Sequence, residues 1–196
     1  MNPFEIDFGA LFTACRKALL GAADWNRDID ISAKGFRLSY IAIFLSIPAY
    51  YICAIAIATQ RAQISGQSKT LIAPIPFACA ALIYLLSFSA SIYIICAAVN
   101  KRAQFYPWVT LRHWSAFFCV LFAASLYGLY LLGVMPFIAA NFAALIVYLA
   151  VLLIDIRLAQ RIGELDITPA IFTACIVFAM GLSVLLIGVV QIGGAI

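Results

Sequence analysis

The chain reads as all-α: a polytopic transmembrane bundle of five spans preceded by an N-terminal amphipathic helix at the membrane interface. Three observations predict this. Of 196 residues, 66% are hydrophobic and 10% charged, against about 45–50% and 25% in soluble domains, so a soluble globule would lack the polar surface to cover itself. The apolar residues collect in five runs, each able to cross a hydrocarbon core of about 30 Å, which takes about 20 helical residues. Lys and Arg, finally, are distributed with a strong bias between the two sides of those runs.

The first element follows from helical spacing. Asn2, Pro3 and Glu5 fit the N-cap, N1 and N3 positions of a helix start. Phe4, Phe8, Leu11, Phe12, Cys15, Leu19 and Ala22 then recur on an arc about 100° wide, with Thr13 and Lys17 opposite and Glu5 and Arg16 at its flanks. Too short to span, this helix is expected either to lie in the interface on its aromatic face or to pack on the cytoplasmic surface of the bundle. Phe4, Phe8, Phe12, Arg16 and Lys17 are its candidate lipid or partner contacts. Charges then crowd residues 24–37, where Ser32 fits the N-cap of a helix starting at Ala33. Asp28 and Asp30 suit that helix's positive end, and Arg27, Lys34 and Arg37 anchor the start of the first span. With ten charges and no apolar core of signal-peptide length in the first 37 residues, targeting is expected to rest on that span itself.

Residues 1–37 thus form a cytoplasmic helix-and-anchor region, and 38–196 a five-helix membrane domain. Its spans are read at about 38–59, 72–99, 114–134, 137–154 and 169–192. Pro48 should kink the first, and Pro74 and Pro76 should bend or delay the start of the second. Gly133 and Pro136 suit a tight hairpin between the third and fourth, and Thr168 and Pro169 fit the N-cap and N1 of the fifth. Ten basic residues (Arg16, Lys17, Arg27, Lys34, Arg37, Lys101, Arg102, Arg112, Arg157 and Arg161) fall on one side against Arg61 and Lys69 on the other. That bias puts the N-terminus in the cytoplasm and the C-terminus outside; short loops suggest a bacterial inner membrane.

The search for chemistry returns little. Six cysteines, no two closer than 17 positions, exclude CxxC and zinc spacings and read as reduced structural thiols. A single histidine, His113, rules out paired-histidine sites, and no phosphate loop, HExxH or GxSxG motif occurs. Neither catalytic residues, metal nor cofactor are expected, and no basic tract suggests nucleic acid. The spans show no charged residue in their interiors on these boundaries, which argues against a proton pump or charge-coupled carrier. Asp155, Glu164 and Asp166 read as solvated charges. The segment "NKRAQFYPWVTLRHW" reads as a loop in which Lys101, Arg102, Arg112 and His113 mingle with Trp108 and other aromatics. It is either an aromatic belt or a grip for a headgroup or partner. Inside the spans, Tyr84, Ser87, Ser91 and Tyr127 either serve helix packing or line a polar path, Ser89 pointing elsewhere.

The lead into the first span, "DISAKGFRLSYIAIFLSIPAY", with Gly35, Phe36, Ser39 and Tyr40 followed by Pro48, resembles that of bacterial members of the Yip-domain family of five-span membrane proteins. The resemblance implies a non-enzymatic polytopic protein; eukaryotic relatives associate with small GTPases and shape or sort membranes, but this chain lacks a long polar cytoplasmic domain. The expected function is membrane organisation or partner binding at the cytoplasmic face, the partners being the bilayer, a membrane or cytoplasmic protein, or a second copy. The alternative is a carrier or channel for a neutral or lipid-like solute along the serines and tyrosines of spans 2 and 3. A lipid-modifying enzyme would require His113 or Asp155 to act.

Overall fold

The computed structural model describes residues 6–66 and 72–179. Among them every regular element is helical: α1 (Phe8–Leu20), α2 (Ala33–Ser65), α3 (Pro74–Ala98), α4 (Phe105–Leu131), α5 (Phe137–Arg161) and α6 (Ile167–Ala179). Two short 3₁₀ turns, Trp25–Arg27 and Arg102–Gln104, precede α2 and α4. Helices α2, α3, α4 and α5 are each long and apolar enough to cross a bilayer, and the architecture is a helical bundle of the integral membrane type. The remainder of the fifth run, with Gly181, Ser183 and Gly188, lies outside the described residues, as do Phe4, the Asn2-Pro3-Glu5 start and Lys69.

Local chemistry sets several boundaries where expected. Ser32 caps α2, its Oγ accepting from the N–H groups of Lys34 and Gly35. Pro74 stands at the first turn of α3, where its missing N–H costs nothing. Gly133, at φ +76°, ends the α4 side of the hairpin, and Pro136 immediately precedes α5. Pro48 lies within α2, which continues through it.

α1 is described from Phe8, with Asp7 accepting from the Ala10 N–H as its cap. Other boundaries differ from expectation. α6 starts at Ile167 with the Asp166 carbonyl accepting from Ala170 N–H, two residues before Pro169. The largest difference is α4. It starts at Phe105, not 114, so most of the segment read as a loop is helix, and residues 107–115 are buried without a break.

Up-and-down connection runs α2 and α4 parallel, with α3 and α5 antiparallel to them. α4 touches α1, α2, α3 and α5 and is the hub of the bundle. Small side chains let it pack closely: Ala49, Cys53 and Ala56 of α2 and Ala140 and Ala144 of α5 meet Ala123 and Ala124 of α4. Gly128, by contrast, has open space where a Cβ would be. α1 docks on α4 and α5 through buried Ala14, Cys15 and Ala18.

Gly35 is fixed by close approach: a Cβ there would collide with the Asp30 carbonyl. Gly35→Ala should therefore destabilise the bundle by about 1–3 kcal/mol, the usual overpacking range. Gly128→Ala should be neutral or up to about 1 kcal/mol stabilising, from helix propensity. Thermal unfolding of both variants in detergent checks the contrast.

Candidate functional site

Arg112 lies seven residues into α4, about 10 Å along its axis from Phe105. Its side chain points into the bundle, and it is 2% exposed. Asp155, six residues before the end of α5 and 4% exposed, faces it. Arg112 Nε is ion-paired with Asp155 Oδ1, and a second guanidinium nitrogen donates to Oδ2 at 3.2 Å. The guanidinium also lies over the Phe88 ring of α3, 4.4 Å from its centroid. Neither residue is solvated, and the inference that the spans hold no interior charge is overturned. A helix carries its charge inward when an antiparallel neighbour offers the counter-ion at the same level.

The next residue on α4, His113, joins two further helices. Its Nδ1 is 2.9 Å from Ser39 Oγ of α2 and its Nε2 is 3.0 Å from Ser89 Oγ of α3. Ser39 Oγ also donates to its own helix at the Phe36 carbonyl, 2.8 Å away. With that proton committed, Ser39 accepts from Nδ1–H, leaving Nε2 as the acceptor of the Ser89 hydroxyl. Both ring nitrogens of a neutral imidazole are thereby satisfied. Tyr40 stacks edge-on to the ring at 4.9 Å, and Phe36, Tyr106 and Phe105 continue the aromatic cover outward. Trp108, on another face of α4, is buried against Gly163, where any Cβ would strike its ring.

Arg112, His113 and Trp108, read from the sequence as surface contacts, are thus interior. Lys101 pairs with exposed Glu164 at 2.8 Å. Lys17 is tied to Asp24 and Asp28 at 2.8 and 2.9 Å, folding the Trp25–Arg27 turn back on α1; Asp28 is therefore engaged with Lys17, while Asp30 accepts from the Ser32 N–H. Burial pushes the Cys15 thiol up to about 11, which fits an inert structural cysteine. Phe8, Phe12, Arg16 and Arg102 remain exposed.

Of the polar-path residues, Ser87 Oγ donates to the Tyr84 carbonyl and Ser91 Oγ to the Ser87 carbonyl, both within α3. Tyr84 meets Tyr50 edge-on at 5.9 Å, and Tyr127 donates to Asn141 at 2.8 Å, a second polar tie between α4 and α5. The serine that reaches across helices is Ser89, which sequence reasoning set aside.

What remains free is a rim. The first turn of α2, the last turns of α5, the α3–α4 connection and α1 share one end of the bundle. There Arg16, Arg27, Lys34, Arg37, Arg102, Arg157 and Arg161 are all exposed and in no ion pair among the described residues. No protein-family model, curated protein or solved structure matches the chain.

Removing one member of the Arg112–Asp155 pair strands the other in an apolar interior. Arg112→Gln or Asp155→Asn alone should lower stability by about 3–5 kcal/mol, and Arg112→Met with Asp155→Leu should recover most of the loss; thermal unfolding of all three variants measures the coupling. The Lys17 staple carries a pH signature. Asp24 sits below the usual carboxylate value because Lys17 donates to it, and Lys17 sits above the usual amine value for the same reason. Its contribution is therefore full between about pH 5 and pH 10, around the unfolded values of about 3.9 and 10.4. It is lost as pH falls through the depressed Asp24 value or rises through the elevated Lys17 value. Protection factors from hydrogen exchange in the Trp25–Arg27 turn and the adjoining end of α1 should fall at both extremes, by no more than the few-fold that a surface pair supports, and Lys17→Gln should abolish that dependence.

Proposed function

We propose that the protein is a non-enzymatic, Yip-like integral membrane protein that organises or binds a partner at the cytoplasmic face, with the basic end of the bundle in the cytoplasm. The observation that carries this is the division of its polar groups. Arg112 and Asp155 neutralise each other, His113 is closed by Ser39 and Ser89, and the other span hydroxyls described above turn to carbonyls of their own helix or to a neighbouring amide. These interior groups are paired with one another, while seven exposed cations, in no ion pair among the described residues, stand at one end. Interior polar groups paired with one another beside an exposed charged rim suit recognition of an acidic partner better than turnover or passage. The positive-inside bias supports the orientation, and the Gly35-Phe36-x-x-Ser39-Tyr40 resemblance supports the family reading.

Affinity capture of the tagged full chain from native membranes in mild detergent tests this, beside a variant with Arg27, Lys34, Arg37 and Arg102 all changed to Gln. A stoichiometric protein partner lost in that variant, with thermal stability unchanged, is the expected outcome. A specific solute retained by both forms, with no protein above background, would sink the proposal in favour of a carrier.

A further inference from the structure

α1 has two unlike faces. Ala14, Cys15 and Ala18 are buried against α4 and α5. Along another edge, at four-residue spacing, stand Phe8, Phe12, Arg16 and Leu20. The three apolar side chains on it are 43%, 53% and 74% exposed. Left in water, each would forgo much of the about 1.5–3 kcal/mol that burying such a side chain yields.

The position of α1 along the bundle indicates what covers that edge. Phe8 meets Trp114 and Phe117 with ring centroids 6.0 Å apart in both cases, and Phe12 meets Phe118 at 5.3 Å. No charge occurs in residues 113–154, so the Arg112–Asp155 pair marks the near limit of the apolar layer. From Arg112 to Leu132, at the hairpin, is about 30 Å of helix, one hydrocarbon thickness. Trp114 and Phe118 then lie about 3–9 Å inside that limit. At the other end of α1, a Cβ on Gly21 would stand 2.7 Å from Arg161 Cζ, in the last turn of α5. α1 therefore runs from beside Arg161 at the basic end to the level of residues 114–118 of α4, where Phe8 and Phe12 both lie inside that limit. Its exposed aromatics continue the surface on which α4 presents Leu121 and Phe122, 48% and 59% exposed.

We infer that the Phe8, Phe12, Arg16 and Leu20 edge is a phospholipid-binding surface in the leaflet at the basic end. Acyl chains pack on Phe8 and Phe12, and Arg16, one turn beyond Phe12 toward the bundle's rim, takes the phosphate of an anionic headgroup. This uses the bilayer orientation above but not the partner-binding reading; it shares one rim cation with it, Arg16, which the variant tested there leaves unchanged.

The test places p-benzoylphenylalanine at position 12, and separately at position 8, in the full chain reconstituted into phosphatidylcholine vesicles with and without phosphatidylglycerol. Photolysis should give phospholipid adducts at both positions, read by mass spectrometry. Adducts to a second protein copy alone, or no adduct at either position, would overturn the surface. Arg16→Gln should reduce phosphatidylglycerol adducts about fivefold relative to phosphatidylcholine, the factor for one basic residue at an anionic surface. An unchanged ratio would remove Arg16 from the headgroup site.

Discussion

The pair between Arg112 and Asp155 fixes the rest of the bundle. It closes the base of a charge-free hairpin running over residues 113–154, and a buried charge tolerates few positions for its counter-ion. Sliding α5 by one residue against α4 would rotate Asp155 by about 100° away from the guanidinium. Apolar contacts between the same helices, built from alanines and valines, would discriminate such a slip weakly. The pair contributes register more than net stability, and Tyr127 with Asn141 repeats the constraint farther along. Once Arg112 is oriented, the adjacent His113 is turned toward α2 and α3, where Ser39 and Ser89 meet it from both sides.

Part of this was legible before any coordinates. Ser32, Pro74, Gly133 and Pro136 act through their own backbone chemistry, and their roles survive in any tertiary setting. The helices were found because apolar runs of that length have few other uses. The start of α4 at Phe105 is hidden in the sequence, because hydropathy falls at Arg112 and His113 while the helix continues through them. A signal was nonetheless present. Positions 112 and 155 are centred on 133–134, the hairpin turn itself, as are positions 127 and 141. In two antiparallel helices of equal rise, residues equidistant from the turn lie opposite one another. The contact of Ser89 with His113 offered no such signal, because it depends on how helices not joined by a short turn lie side by side.

The same geometry explains the contrast between interior and periphery. Charges that a loop would have displayed to solvent are consumed inside, and Lys17 and Lys101 are occupied by nearby carboxylates. Seven of the eight described cations left over gather at one end of the bundle, Arg61 standing at the other end of α2. α1 lies beside that end, its small residues inward and its large ones outward.

The hub position of α4 also bears on the order in which the chain can assemble. α2 and α3 emerge before α4 during synthesis, but the small-residue face of α2 and the hydroxyls of Ser39 and Ser89 find their partners on α4. Arg112 in turn waits for α5 to bring Asp155. The seat of α1 is composed of α4 and α5 together, so it does not exist until both are made. α1, made before the four long helices, thus has a seat that is completed only after them.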